Sequence, residues 1–215
     1  MAVPQNTLIG KTRQSVGNVT FTTWKGINVI KSKPVSVADP KTQLQLDQRA
    51  KLKNFVIDYR LNSAVINAGF KQQAVKMSAY NAAASANLLS GSMSSDPGTP
   101  IGDFSFFKVA KGSLYYTEML TYNADFSTKI VTLTWSPVSV ADQLDTDKVY
   151  ATIYNSNGYS MANVLGTATR DQGTISISIP DMPAVAQELH GYLFFVQTGT
   201  GKVSDSFYNT IPVVA

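Results

Sequence analysis

The 215-residue chain contains no cysteine and a single histidine, His190. The lack of cysteine excludes disulfides, thiolate metal sites and cysteine nucleophiles. No segment reaches the roughly 20 apolar residues that a membrane-spanning helix needs, so we expect no insertion into a membrane. The opening stretch, MAVPQNTLIGKTRQ, also lacks the apolar core of a secretory signal, which predicts a product that stays in the cytoplasm unless it is otherwise released.

Catalytic motifs are equally scarce. His190 stands alone, and a lone histidine is more often structural than catalytic. Asp142, Asp145 and Asp147 fall in one stretch, but the glycine and glutamate of a calcium-binding hand loop do not follow, which favours a solvated acidic loop. A phosphate-binding glycine loop and a nucleophile elbow are also missing. We therefore expect a protein that is not an enzyme and that holds no cofactor and no metal.

The charge is unevenly distributed along the chain. The net charge is +4, but residues 1–53 carry nine basic and two acidic residues, a local charge of +7. Residues 54–103 are balanced, and the remainder has six basic and nine acidic residues, a local charge of −3. Such asymmetry suits either a polyanionic partner or head-to-tail packing of copies.

The stretch GKTRQSVGNVTFTTWKGINVIKSKP, residues 10–34, contains five basic residues and no acidic one. Residues 18–25 alternate in the manner of a strand, Lys25-Gly26 suits a tight turn, and a second strand follows until Pro34. A two-stranded ribbon is at best marginally stable alone, so it must pack on its own chain or on a neighbour.

Three interpretations of this basic ribbon stay open. The lysines could guard a solvated strand edge, the cations could bind phosphates while Trp24 stacks on a base, or the ribbon could dock on an acidic neighbour. For the docking interpretation we take as the assembly interface the basic and apolar residues of the ribbon: Lys11, Arg13, Phe21, Trp24, Lys25, Ile27, Val29, Lys31 and Lys33.

A helical segment is predicted over residues 36–92. Asp39-Pro40 is typical of a helix start, and an apolar stripe with helical spacing follows at Leu52, Phe55, Val56 and Tyr59. A second, alanine-rich helix is predicted over 78–89, and Gly91 would end it. Residues 93–103 are small and polar and predict a linker.

From residue 104 to the end, residues 104–215, the pattern has a period of two. Strands are predicted over 104–109, 113–120, 129–135, 147–154, 162–169, 173–179, 190–197 and 203–208. Ile175, Ile177 and Ile179 alternate with serines, and Trp135 suits a core position. The predicted fold class is α+β, mainly β: an N-terminal β-hairpin arm (1–35), a helical pair, and an immunoglobulin-like antiparallel β-sandwich.

The sequence also resembles a family of unknown function found across Bacteroidota and their phages. In that family a Gly-Lys, a Gly-Asn, a hairpin Lys-Gly and a basic-Ser-basic-Pro recur in the order seen in residues 10–34. Similarity continues in MSAYNAAASAN (77–87), FFKVAKGSL (106–114), IVTLTW (130–135), DKVYATIYN (147–155) and VSDSFY (203–208). The resemblance implies a hairpin, helices and an immunoglobulin-like sandwich, and it implies no active site. The hairpin of the family is often richer in arginine, where this chain has Thr22, Thr23 and Ile27.

These observations predict a self-assembling structural protein, made in the bacterial cytoplasm and carried in a phage particle as a capsid, head-decoration or tail component. Its expected partners are copies of itself and other virion proteins. Two alternatives are a nucleic-acid-binding module that uses the ribbon, with weak binding, and a carbohydrate-binding or adhesin sandwich. The sandwich alternative would need an exposed aromatic platform, for which Tyr115, Tyr116 and Tyr122 are the candidates.

Overall fold

A computed structural model describes residues 14–24, 27–33, 36, 39–115, 120–137, 144–182 and 187–211. These residues hold two helices and ten strands in three antiparallel sheets, which confirms an α+β, mainly β fold with an N-terminal hairpin. The chain divides into two compact units, residues 1–42 and residues 43–215, called here the ribbon unit and the main unit.

The ribbon unit contains three short strands, β1 (Gln14–Val16), β2 (Val19–Trp24) and β3 (Ile27–Ser32), in the order β1-β2-β3. The sequence predicted only β2 and β3. The added strand pairs Val16 with Val19 across a two-residue turn at Gly17-Asn18. Gly17 has a φ of 55°, a conformation that glycine adopts without steric cost, so the turn can close tightly.

The main unit begins with helices α1 (Gln43–Gly69) and α2 (Ala79–Ser90). The expected helix start at Asp39 is wrong, because Lys41 has a φ of 46° and the helix forms only after it. Helix α2 matches its prediction: the Asn81 N–H donates to the Ser78 hydroxyl oxygen, and Gly91 ends the helix at a φ of 77°. Neither helix is both long and apolar enough to cross a membrane, among the residues described.

Seven further strands form two sheets: β4 (Leu120–Asp125), β5 (Ile130–Trp135), β6 (Lys148–Asn155), β7 (Ser160–Thr169), β8 (Thr174–Ser178), β9 (Leu189–Val196) and β10 (Phe207–Ile211). The orders are β10-β9-β6-β7 and β4-β5-β8. Side chains from both sheets, including Leu133, Trp135 and Val149, form one buried core, as a sandwich requires. Ile177 and Ile179 are buried while Ser176 and Ser178 are exposed, which confirms the predicted alternation.

One predicted strand is absent, and another lies largely outside the described residues. Residues 104–109 form a turn and a loop, because Asp103 accepts bonds from the N–H and hydroxyl of Ser105, and the Lys108 N–H donates to Asn87. Residues 116–119 of the predicted strand 113–120 lie outside the described residues. In the rest of it, Leu114 makes an isolated bridge to Ser204, and strand β4 begins at its last residue. Strand β4 itself was not predicted.

A second core lies between the helices and the four-stranded sheet, and it includes Phe55, Phe70, Phe107 and Tyr154. Residues 93–103, predicted as a linker, form a loop within the main unit. Met93 and Ile101 pair across this loop and are both buried. Asn54 of α1 holds the loop, because its side-chain NH₂ donates to two backbone carbonyls, those of Ser94 and Asp96, each at 2.8 Å.

Candidate assembly interface

The register of the ribbon divides its side chains between two faces. Phe21 pairs with Ile30, and Val19 pairs with Ser32. Directly paired residues of antiparallel strands place their side chains on the same face, and successive residues alternate between faces. We call one face the Phe21 face (Val16, Val19, Phe21 and Ile30) and the other the Val29 face (Ile27, Val29, Lys31 and Lys33).

The predicted interface residues are therefore split. Ile27, Val29, Lys31 and Lys33 lie together on the Val29 face, whereas Phe21 lies on the opposite face. Lys31 and Lys33 are exposed, Ile27 is 47% exposed, Val29 is 8% exposed, and Phe21 is half-buried. No single flat contact can engage all of these residues at once.

Four of the predicted residues cannot be placed on either face. Lys11, Arg13 and Lys25 lie outside the described residues. The backbone of Trp24 pairs with Ile27 at the end of β2, but its side chain is also outside the described part. Lys31 and Lys33 are thus the predicted charged residues that the structure describes.

Two exposed valines of the ribbon were not among the predicted interface residues. Val16 and Val19 pair directly beside the Gly17-Asn18 turn and are 71% and 37% exposed. The signal that could have found them is the Gly-Asn dipeptide, since such dipeptides between β-branched residues mark two-residue hairpins. The apolar part of the ribbon therefore extends past the strands that were predicted.

His190 has a structural environment. It is buried, its ring stacks on Phe104 with 3.6 Å between ring centroids, and its Nδ1 lies 3.1 Å from the Tyr208 hydroxyl. Desolvation lowers the pKa of His190, and the nearby charge of Glu188 opposes that shift. This favours a neutral imidazole packed among aromatic rings, in agreement with the structural interpretation.

The predicted solvated acidic loop is wrong at Asp147. This residue is fully buried and forms an ion pair with Arg170, whose Nη2 lies 3.1 Å from Asp147 Oδ2. The Arg170 guanidinium lies over the ring of Phe195, 3.7 Å from its centroid. Asp142 is outside the described residues, and Asp145 is exposed. The described part of the chain contains no group of three acidic or histidine side chains placed to hold a metal.

A buried polar cluster, which the sequence did not predict, lies between α1 and the four-stranded sheet. Asp58 is 2% exposed, and its Oδ1 accepts bonds from the Tyr154 hydroxyl at 2.9 Å and the Asn62 side chain at 2.7 Å. Desolvation outweighs these two bonds and raises the pKa of Asp58 to about 7. Asn62 also has non-helical angles inside α1 (φ −115°, ψ 18°), so the cluster coincides with a kink.

The aromatic platform needed by a carbohydrate-binding sandwich is not assembled from the three predicted tyrosines. Tyr122 is 6% exposed and belongs to the core between the sheets. Tyr115 is 48% exposed, and Tyr116 lies outside the described residues. Tyr122 therefore cannot contribute to a binding surface.

Comparison with known proteins places the chain in a family. A protein family described as "Family of unknown function (DUF6266)" matches residues 10–210, nearly the whole chain, so the chain belongs to that family. No curated protein matches it significantly.

Proposed function

We propose that this protein is a non-enzymatic structural protein that self-assembles through its N-terminal ribbon. The observation that carries the proposal is that the ribbon is a compact unit of its own with exposed apolar side chains on both faces. Val16 and Val19 are exposed on the Phe21 face, and Ile27 is exposed on the Val29 face. A single small sheet has too little area to cover two apolar faces, so a neighbour that covers one of them stabilises it.

Charge supports the same proposal. Lys31 and Lys33 stand on the face that carries Ile27, whereas residues 104–215 have a net charge of −3. A basic ribbon that meets the acidic part of another copy makes a head-to-tail contact, which can repeat into a ring or a filament. Exposed ion pairs of this kind contribute about 0–1 kcal/mol each, so they affect the association rate more than the affinity of the assembly.

As a finer proposal, the assembly is a component of a phage particle: a capsid, head-decoration or tail protein, with other virion proteins as further partners. This rests on the resemblance of residues 10–34 to a motif that recurs in Bacteroidota and their phages. Electron microscopy of the purified protein tests it, since rings, tubes or shells are expected. A uniform monomer at high concentration would contradict it.

The ribbon variant Val16→Lys with Val19→Lys tests the role of the ribbon. It places two charges where an apolar contact is proposed, so we expect it to remain monomeric in light scattering. The matched control is Val75→Lys with Leu89→Lys, two apolar residues of the main unit that are 69% and 84% exposed. Equal loss of assembly in both variants would mean that added charge alone prevents association.

Nucleic-acid binding is the second candidate, because Lys31 and Lys33 are exposed on one face of β3. Contacts to phosphates release counterions, so each contact steepens the salt dependence of binding, with a log–log slope of about −0.9 per phosphate on duplex DNA. We expect weak retention that disappears at physiological salt. Micromolar binding at that salt would place this candidate first.

A further inference from the structure

Among the described residues, the β8 strand presents an open hydrogen-bonding edge. It is the last strand in the order β4-β5-β8. The Trp135 N–H donates to the Gly173 carbonyl at 2.8 Å, and the Ile179 N–H donates to the Lys129 carbonyl at 2.9 Å. Because bonding alternates along an antiparallel ladder, the residues bonded to β5 are 173, 175, 177 and 179. The backbone groups of Thr174, Ser176 and Ser178 therefore point away from the sheet.

This edge lacks the features that usually protect one. Between Gly173 and Pro180 the strand has no charged residue and no proline, and its register with β5 has no bulge. No described residue bonds to the backbone amides of Ser176 or Ser178. The acidic residues Asp171 and Asp181 flank the two ends of the strand and are exposed.

The other edges of the two sheets have neighbours. Helix α1 contacts β7, where the Asn163 side chain donates to Asn62 Oδ1 at 3.0 Å. Strands β10 and β4 contact each other across the sandwich. Strand β8 contacts β7, to which it is connected through a 3-10 helix over Arg170–Gln172, but it is not hydrogen-bonded to it. Among the described strands, β8 is thus the edge best suited to accept another strand.

The ribbon offers a strand of matching length. β3 has six residues, β8 has five, and β3 is the edge strand of the ribbon. The Lys33 N–H donates to the Asn18 carbonyl at 2.7 Å, so residues 27, 29 and 31 also bond to β2. The backbone groups of Ile30 and Ser32 then point outward, as those of Ser176 and Thr174 do.

We propose that β8 accepts β3 of a second copy as an added antiparallel strand. This proposal rests on the proposed self-assembly and names the surface that receives the ribbon. The two strands can bond only where the outward backbone N–H and C=O groups of one face those of the other. A register that places Ile30 opposite Ser176 and Ser32 opposite Thr174 meets this condition. Main-chain hydrogen bonds stabilise this contact. Because the contact is head-to-tail, further copies can add one after another.

The side chains fit this register. Ile27 falls opposite Ile179, and Val29 falls opposite Ile177, so apolar residues of the Val29 face extend the inward, core-facing side of β8. Lys31 falls opposite Ile175, which is only half-buried, and Lys33 falls opposite Gly173, two residues from the exposed Asp171. One end of the added strand thus brings a lysine towards an aspartate.

Proline substitutions test the contact with little change to the existing ladders. Ser176→Pro removes an outward N–H and leaves the bonds of β8 to β5, and Ile30→Pro does the same for β3 and β2. Each variant alone should be monomeric, whereas Ser176→Ala should assemble as the native protein does. A mixture of the two proline variants should give a 1:1 dimer and nothing larger, because one donor strand and one acceptor edge remain.

The charge pair tests the register. Lys33→Glu and Asp171→Lys should each slow assembly severalfold, and the double exchange should restore the native rate. If the double exchange is as slow as the single variants, this register is wrong. If circular dichroism shows that a proline variant is unfolded, these charge variants still test the proposed contact.

Amide hydrogen exchange on the native protein gives a direct measurement. The amides of Thr174 and Ser176 should exchange at least tenfold more slowly in the assembled protein than in dilute monomer. Unchanged rates, or a Ser176→Pro variant that folds and assembles normally, would overturn the β8 contact and leave the proposed self-assembly intact. A native protein that never assembles would overturn the proposed function itself.

Discussion

The Tyr154 hydroxyl donates a hydrogen bond of 2.9 Å to a carboxylate oxygen of Asp58, and both side chains are buried between α1 and the four-stranded sheet. Asn62 donates to the same oxygen from the point where α1 departs from helical angles. The second oxygen, Oδ2, has no hydrogen-bond partner among the described residues. A buried carboxyl with this environment makes the stability of the helical layer depend on pH.

Asp58 should make the protein less stable as the pH rises. Its pKa is about 7 in the folded protein, against an ordinary value of 3.8 in the unfolded chain. The folded state therefore binds the proton more tightly, and its stabilising effect is complete below about pH 4 and is lost as the pH rises through 7. We expect the Asp58 contribution to the free energy of unfolding to fall by about 2–4 kcal/mol across this range.

The substitution Asp58→Asn isolates this effect, because a neutral amide of similar shape keeps an acceptor for Tyr154 and Asn62. Chemical denaturation at pH 5 and pH 8 should show a smaller difference for the variant than for the native protein. A native pH dependence that the variant retains in full would assign it to other groups.

The Asp147–Arg170 pair gives a second prediction. Arg170→Ala should lower the free energy of unfolding by about 3–5 kcal/mol, because it leaves Asp147 charged and buried. Arg170→Met combined with Asp147→Leu should cost much less, since neither side chain then carries a charge into the core. Thermal and urea denaturation of the two variants would measure this, and equal losses would mean that packing on Phe195 dominates.

Removing residues 1–42 should leave a folded protein that does not assemble. Among the described residues, the two buried cores consist of residues from the main unit, so we expect this unit to fold without the ribbon. Circular dichroism and light scattering on residues 43–215 would test both halves of the prediction. Loss of the cooperative thermal transition would show that the ribbon contributes to the fold of a single chain.

Reversing the charge of Lys31 and Lys33 should slow assembly more than it weakens the product. Rim charges raise the association rate, whereas apolar burial supplies most of the affinity. Time-resolved light scattering of Lys31→Glu with Lys33→Glu, at two salt concentrations, should show a several-fold lower rate and a similar final size. Complete loss of assembly would mean that the ribbon acts mainly through charge.

The sequence predicted those elements whose signals are local. Strands β5 to β9 follow from alternation, and Ser78 and Gly91 mark the ends of α2 through the capping bond and the left-handed conformation that they supply. The predicted strand at 104–109 failed because its backbone bonds go to side chains, such as Asn87, that are distant in sequence. Contacts between residues that are distant in the chain produce no periodic pattern in the sequence.

The interface was only partly predictable for the same reason. Composition identified the ribbon, but the division into two faces depends on the pairing of Phe21 with Ile30 and of Thr22 with Val29. Asp58 and Asp147 both read as ordinary acidic residues, since burial and partners such as Tyr154 and Arg170 appear only in the folded chain. Sequence patterns show where polar and apolar residues alternate. They do not show which residues of other strands or helices pair with them or pack against them.

The position of the ribbon in the chain also sets an order in time during synthesis. The ribbon strands end at Ser32, whereas β10, the edge strand that pairs with β9, ends at Ile211. A ribosome that adds 5–20 residues per second needs roughly 10–35 s to cover that interval. The exposed valines of the ribbon therefore leave the ribosome well before the main unit of the same chain can be complete. On a polysome, the finished copies nearest to an emerging ribbon are those just released from the same message, so local translation favours assembly among sister chains.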